Sequence, residues 1–254
     1  MKHIRPPATV TIVTAVYNRA ATIAATMASI ARQTYPHIEH IVVDGGSVDA
    51  TLSIVEYFAE EAYATIISEP DEGLYDALNK GICTAKGDIV GILHSDDVFA
   101  HDRVIDVVVK AFEDPDINAV YGDLDYISSY RPERVVRRWK SEEFQQHKLA
   151  QGWMPPHPTL FLRRSVFERL GAYNPSFQIA ADYDAILRFF GHDEITSKYV
   201  PDVFVNMSLG GESNASLENI ILKSREDYRA LRSNNVGGLA TLMRKNVSKL
   251  NQFF

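Results

Sequence analysis

A single cysteine in 254 residues, Cys83, excludes an internal disulfide and fits a reducing compartment. No apolar run approaches the roughly 18 residues that a bilayer span requires. Met1-Lys2-His3-Ile4-Arg5-Pro6-Pro7 has no signal-peptide apolar segment, so the expected location is cytoplasmic. Surplus positive charge is missing too. The formal net charge is −7, which gives no electrostatic reason to expect nucleic acid as a partner. Two phosphate-binding signatures are absent: no Gly-x-Gly-x-x-Gly follows the first strand pattern, and no Gly-Lys-Ser/Thr loop occurs. A nucleotide would have to be held by another scheme. Against these absences stands a 46% hydrophobic content, enough for a sizeable core.

The first half alternates strand and helix patterns. Thr9–Val16, Ile38–Val43, Ala64–Ser68 and Ile89–Leu93 read as strands; Ala20–Ala31, Asp49–Ala62 and Gly73–Ala85 read as helices. This order predicts an α/β protein with a Rossmann-like, mostly parallel sheet flanked by helices. The second half is less regular. Val120–Ile127 and Arg134–Trp139 read as strands able to pair antiparallel, and Thr159–Arg163 and Lys198–Met207 add two more. Ser165–Leu170, Ala181–Phe190, Leu217–Leu231 and Leu239–Phe253 read as helices. The expected organisation is one domain over 1–212 and a helical C-terminal extension over 213–254. The domain divides into a half over about 8–100 and a half over about 101–212.

Four polar clusters fall where strands of the first half should end: Tyr17-Asn18-Arg19, Asp44-Gly45-Gly46-Ser47, Glu69-Pro70-Asp71-Glu72-Gly73 and Ser95-Asp96-Asp97. Strand ends on one edge of a parallel sheet converge on a shared cleft. Paired carboxylates there suit a hard divalent cation, although Ser95-Asp96-Asp97 also reads as a turn into a helix near His101. Asp44 either contacts a ligand or makes an Asx turn, with Ser47 or Asp49 capping the next helix. Asp76 and Lys80 are spaced as a surface i,i+4 pair. Asp182, opening a helix, is either a cap or an acid at the cleft edge. His157, between Pro156 and Pro158, reads as a diphosphate contact or a packed loop histidine. Asp123 and Asp125 on one strand suggest at least one further acid for the cleft, or a solvated sheet face.

In this order the clusters resemble the family 2 inverting glycosyltransferases of the GT-A fold. The likeness runs from about Thr9 to Gly211 and includes His157-Pro158-Thr159-Leu160-Phe161 and Asp182-Tyr183-Asp184-Ala185-Ile186-Leu187-Arg188. The resemblance implies an enzyme that moves a sugar from a nucleoside-diphosphate sugar, UDP-sugar favoured, to a glycan or lipid-linked acceptor. It points to bacterial exopolysaccharide, O-antigen or colanic-acid-like synthesis. It implies Ala15, Tyr17, Asn18 and Asp44 on the nucleotide side, with Asp76, Asn79 and Lys80 nearby. Asp97 would hold Mn²⁺ or Mg²⁺, Asp96 would face the ribose or sugar, and Asp182 would be the general base. His157, Asp123 and Arg188 fall on the acceptor or diphosphate side. Where the family often has Glu-Asp, this chain has Ala181-Asp182, so Asp184 is a rival base.

A sugar-phosphate nucleotidyltransferase and a non-catalytic nucleotide-sugar-binding subunit are the alternatives. The absence of a basic Gly-rich loop counts against the first. After Asp227 no acid occurs, while Arg229, Arg232, Arg244, Lys245 and Lys249 follow beside Leu239, Leu242, Met243, Val247, Leu250 and Phe254. Such a helix either packs on the domain or makes a peripheral contact at the inner face of a membrane.

Overall fold

β1 (Val10–Val16) is buried along its whole length, as a strand covered by helices on both faces must be. It pairs in parallel with β2 (Ile38–Asp44), and β2 with β3 (Thr65–Ser68). On its other side β1 pairs in parallel with β4 (Ile89–Ile92). Between these strands run α1 (Ile23–Ala31), α2 (Thr51–Ala62) and α3 (Leu74–Thr84). The resulting order, β3-β2-β1-β4, reverses direction between β1 and β4. That reversal opens a crevice at the carboxyl ends of the two strands. The computed structural model describes residues 7–62, 64–128, 131–208 and 217–248.

After β4 come β5 (Asp97–Phe99), α4 (Val104–Ala111), β6 (Ala119–Ser128), β7 (Arg131–Trp139) and α5 (Gln146–Leu149). A single 3₁₀ turn (His157–Thr159) leads to β8 (Phe161–Arg163), α6 (Arg164–Leu170), α7 (Ala181–Phe190) and β9 (Ser197–Ser208). β8 lies antiparallel between β4 and β6, and β6 pairs in parallel with β9. β5 runs antiparallel to β9, and β7 antiparallel to β6. Among the described residues one continuous sheet therefore joins both halves of the chain.

Three local differences from the sequence reading have simple causes. α1 begins at Ile23 rather than Ala20, because the N–H groups of Thr22 and Ile23 both reach the Arg19 carbonyl in a turn. Asp97 does not lead from a turn into a helix; it begins the short strand β5, and α4 starts only at Val104. Three residues are too few to show a strand period. β7 is longer than expected, from Arg131 rather than Arg134.

Two C-terminal helices, α8 (Leu217–Ser233) and α9 (Leu239–Ser248), pack back onto the domain. Ala230 and Leu231 join the core around α7, and Leu242 packs against it. The outward side of α9 keeps Leu239 and Met243 exposed. Leu250 and Phe254 lie outside the described residues. No described helix is long and apolar enough to cross a membrane.

Candidate active site

A cavity of about 340 Å³ opens at the carboxyl ends of β1 and β4. This is a volume typical of small-ligand pockets. Two loops stitched to each other build its mouth. The Asn18 N–H donates to Ser47 Oγ at 2.9 Å, and the Val48 N–H donates to Asn18 Oδ1 at 2.9 Å. The Arg19 N–H donates to Thr51 Oγ1 at 2.7 Å. Asn18 takes φ 50, a left-handed conformation that Asn tolerates better than most residues. Held this way, Tyr17 and Arg19 both line the cavity, with Tyr17 55% exposed.

The floor carries the acids. Asp96 and Asp97 reach the cavity where the turn after β4 enters β5, and Asp182 from the first turn of α7. Asp97 is buried; its Oδ1 accepts the Ser208 N–H at 3.3 Å, while Oδ2 has no hydrogen-bond partner among the described residues. Burial, and then the charge of Asp96, push its carboxyl well above the usual range. An orphaned buried oxygen is costly unless something binds it. Among the described residues no three His, Cys, Asp or Glu side chains are grouped to hold a metal by themselves. A cation at Asp97 would draw its other ligands from substrate and water, a habit of Mg²⁺.

Asp182 is braced by two rings. Its Oδ2 lies 3.3 Å from His157 Nδ1, and its Oδ1 3.4 Å from Tyr75 Oη. His157 Nε2 in turn lies 3.3 Å from His94 Nε2, so one ring donates to the other. Burial lowers the His94 pKa against the pull of Asp96 and Asp182. For Asp182, burial works upward, but His157, Lys223, Lys245 and the Tyr183 N–H together outweigh it. The net shift is downward. Asp182 is therefore an ionised carboxylate at neutral pH, a proton acceptor in a largely apolar wall.

The glycosyl transferase family 2 model matches residues 11–171, more than half of the chain. A PGL/p-HBAD biosynthesis glycosyltransferase of Mycobacterium bovis BCG is 32% identical over 210 residues, covering 81% of this chain and 79% of that one. The chain belongs to glycosyl transferase family 2. Among solved structures, S. aureus TarS 1–349 in complex with UDP-GlcNAc superposes with a TM-score of 0.70 at 16% identity, over 97% of this chain and 72% of that one. The mannosyltransferase PcManGT from Pyrobaculum calidifontis, in complex with GDP-Man and Mn²⁺, gives 0.68 at 21%, over 94% and 69%. These likenesses establish the GT-A fold.

In this family 2 glycosyltransferase the cavity gathers Ala15, Tyr17, Asp96, Asp97, His157 and Asp182 from the residues singled out by sequence. Asp71, Gly73 and Ser95 of the polar clusters line it too, whereas Asp44, Asp76, Asn79, Lys80, Asp123, Asp184 and Arg188 stand outside it with other tasks. Asp44 is the Asx-turn acceptor: its carboxylate takes the Gly46 and Ser47 N–H groups and the Ser68 hydroxyl. Asp49, not Ser47, caps α2 through the Thr51 N–H at 2.9 Å. Asn79 clasps the backbone of Tyr173 on both its N–H and C=O. Lys80 ties Asp76, Glu69 and the Pro70 carbonyl together, so the i,i+4 pair is a strut of the β3–α3 loop.

Asp123 lies outside the cavity lining, a buried acceptor for the Ser141 N–H and the Tyr199 hydroxyl. Arg188 lies outside the cavity lining; its guanidinium holds the carbonyls of Leu170, Gly171 and Ala172. The rival base Asp184 is buried against Asn234 Nδ2 at 2.9 Å and Arg188, away from the cavity lining. Arg19, His94, Tyr75, Tyr173 and Ile179, none of them given a site role from the sequence, also line the cavity. Arg19 belongs to a cluster already read as a strand end, and His94 immediately precedes another. Tyr173 and Ile179 lie in an irregular segment between helices and carry no such signal.

Proposed function

We propose that this glycosyltransferase is a metal-dependent, inverting enzyme that transfers a sugar from a nucleoside-diphosphate sugar, with UDP favoured, to a hydroxyl of a glycan or lipid-linked acceptor. The observation that carries the reading is one cavity with acids from separate parts of the chain: Asp96 and Asp97 where the turn after β4 enters β5, Asp182 at the start of α7. The donor class is supported by the two structural neighbours, one holding UDP-GlcNAc and the other GDP-Man with Mn²⁺. A role in bacterial glycan synthesis is supported by the relative in PGL/p-HBAD biosynthesis, and the proposal places that role at surface glycans and on the cytoplasmic side.

Tyr17, at the mouth, offers an exposed ring to the base. Asp96 faces the ribose or the sugar. Asp97, with its partnerless buried oxygen, is the protein ligand for Mn²⁺ or Mg²⁺. When bound, such a cation neutralises charge on the departing diphosphate. Asp182 takes the proton of the acceptor hydroxyl as that oxygen bonds to the anomeric carbon. The bond from that carbon to the diphosphate breaks, and the diphosphate leaves with the electron pair. A single displacement from the opposite face inverts the anomeric configuration.

The decisive test is a set of three variants assayed for nucleoside-diphosphate release and for UDP binding with Mn²⁺. Asp182→Asn is expected to lose about 10²–10⁴-fold in turnover, the usual worth of general base catalysis, with UDP binding intact. Asp97→Ala is expected to lose both turnover and the Mn²⁺ dependence of binding. Asp184→Asn is expected to turn over normally. An active Asp182→Asn enzyme removes the base assignment.

A further inference from the structure

Glu226 of α8 lies outside the cavity lining, and it is almost fully buried. Its carboxylate accepts three successive backbone N–H groups, from Gln178 at 2.8 Å, Ile179 at 2.8 Å and Ala180 at 2.9 Å. Those residues lead directly into α7, whose second residue is Asp182. Ala181, the immediate neighbour of Asp182, brings no polar side-chain atom of its own. A carboxylate at this helix start satisfies orphan donors and complements the dipole, so the segment is pinned where it would otherwise be loose.

The pinned segment touches the site. Ile179 lines the cavity, and its carbonyl accepts the Tyr75 hydroxyl at 2.7 Å, the same oxygen that lies 3.4 Å from Asp182 Oδ1. The next residue of α8 grips the other flank. Asp227 pairs with Lys245 of α9 at 2.7 Å, both nearly inaccessible to water. Lys245 Nζ sits 3.2 Å from the ring centroid of Tyr183, the residue after Asp182. Glu226 thus holds the backbone before Asp182, while the adjacent Asp227 holds the lysine that lies over the Tyr183 ring after it.

We infer that Glu226 is a positioning residue for Asp182, and that α8 and α9 belong to the catalytic apparatus rather than being a separate appendage. The inference rests on the reading of Asp182 as the base. Its consequence is a specific split: loss of Glu226 slows the chemical step while the donor side, built by the loops after β1 and β4, stays intact.

Glu226→Gln tests it, since the amide keeps the shape but leaves one acceptor oxygen for three donors. Turnover is read as hydrolytic release of UDP, with water in place of the acceptor. The donor is whichever of UDP-glucose, UDP-galactose and UDP-N-acetylglucosamine the wild-type chain uses fastest. The expected result is a kcat lower by about 10- to 100-fold with the donor KM within about twofold. Hydrogen exchange of the 176–184 segment rises, while β1 to β4 keep their protection. Glu226→Asp, with the charge kept but one methylene shorter, falls between wild type and Glu226→Gln in both readouts.

An unchanged kcat in Glu226→Gln overturns the inference. So does a kcat that falls only together with UDP affinity and melting temperature, which marks a purely structural role. Asp182→Asn run in parallel separates the two ideas. If it is inactive while Glu226→Gln is normal, only the positioning role falls; if it is active, the base assignment falls first.

Discussion

His40, on β2, shows how one side chain ties the stability of this protein to pH. It is buried, with Nε2 3.1 Å from Thr14 Oγ1, and burial lowers its pKa from 6.5 to about 4. Below the unfolded value the unfolded chain takes up a proton that the folded one refuses, so stability falls as pH drops from about 6.5 towards 4. The loss attributable to His40 between pH 7.5 and 4.5 is about 2–3 kcal/mol. Urea unfolding at both pH values, for wild type and His40→Gln, checks this: the variant is expected to lose that much less, and parallel curves would dismiss the effect. The same scale explains what the sequence revealed of the site. Tyr17, Asp96, Asp97 and Asp182 were legible because each sits at a strand end or helix start. Asp44, Asn79 and Lys80 occupy equally suggestive places, yet their side chains turn to partners within the protein, outside the cavity lining. Sequence position does not record that direction. Glu226 lies in a polar helix pattern, where nothing distinguishes it from a solvent-facing charge.

At the scale of elements, the helix and strand positions of the first half were readable because each segment is long enough to display its period. β5 was not, being three residues long and stabilised by β9 more than 100 positions later in the chain. The packing of α3 on the sheet has its own sequence mark, Gly81. A Cβ there would come within 2.3 Å of Val13 Cγ1 and 3.3 Å of Val43 Cγ2. The helix approaches β1 and β2 this closely only without a side chain, and that approach places Tyr75 in the cavity wall. Gly81→Ala gains about 1 kcal/mol of helix propensity but carries an overpacking cost of about 1–3 kcal/mol. Net destabilisation is expected, read as a lower urea midpoint with an unchanged slope. A midpoint at or above wild type would show that Val13 can rotate away.

For the molecule as a whole, the parallel half followed from the β-α-β-α pattern, but the insertion of β8 between β4 and β6 did not. That insertion depends on which hydrophobic faces meet across long loops, information that no local period contains. It is also what closes the site. The cavity draws on β1, α3, the turn between β4 and β5, the turn before β8, α7 and β9, from Ala15 to Met207, so a ligand seated there contacts both halves. Partial opening of either half loses the ligand, which makes the whole sheet respond to binding. At about 100 times its Kd, a ligand that binds only the folded state adds about 2.7 kcal/mol. For a chain of this size that corresponds to a melting-temperature rise of about 5–10 °C. UDP with Mn²⁺ is expected to give such a shift in wild type, and UDP alone a much smaller one. In Asp97→Ala the Mn²⁺ increment should vanish, because on the proposed reading the orphaned Oδ2 would be the protein's share of the coordination shell. Equal shifts with and without Mn²⁺ in wild type would remove the metal from the mechanism. A shift with GDP or dTDP but not UDP would keep the mechanism and change only the base that Tyr17 meets.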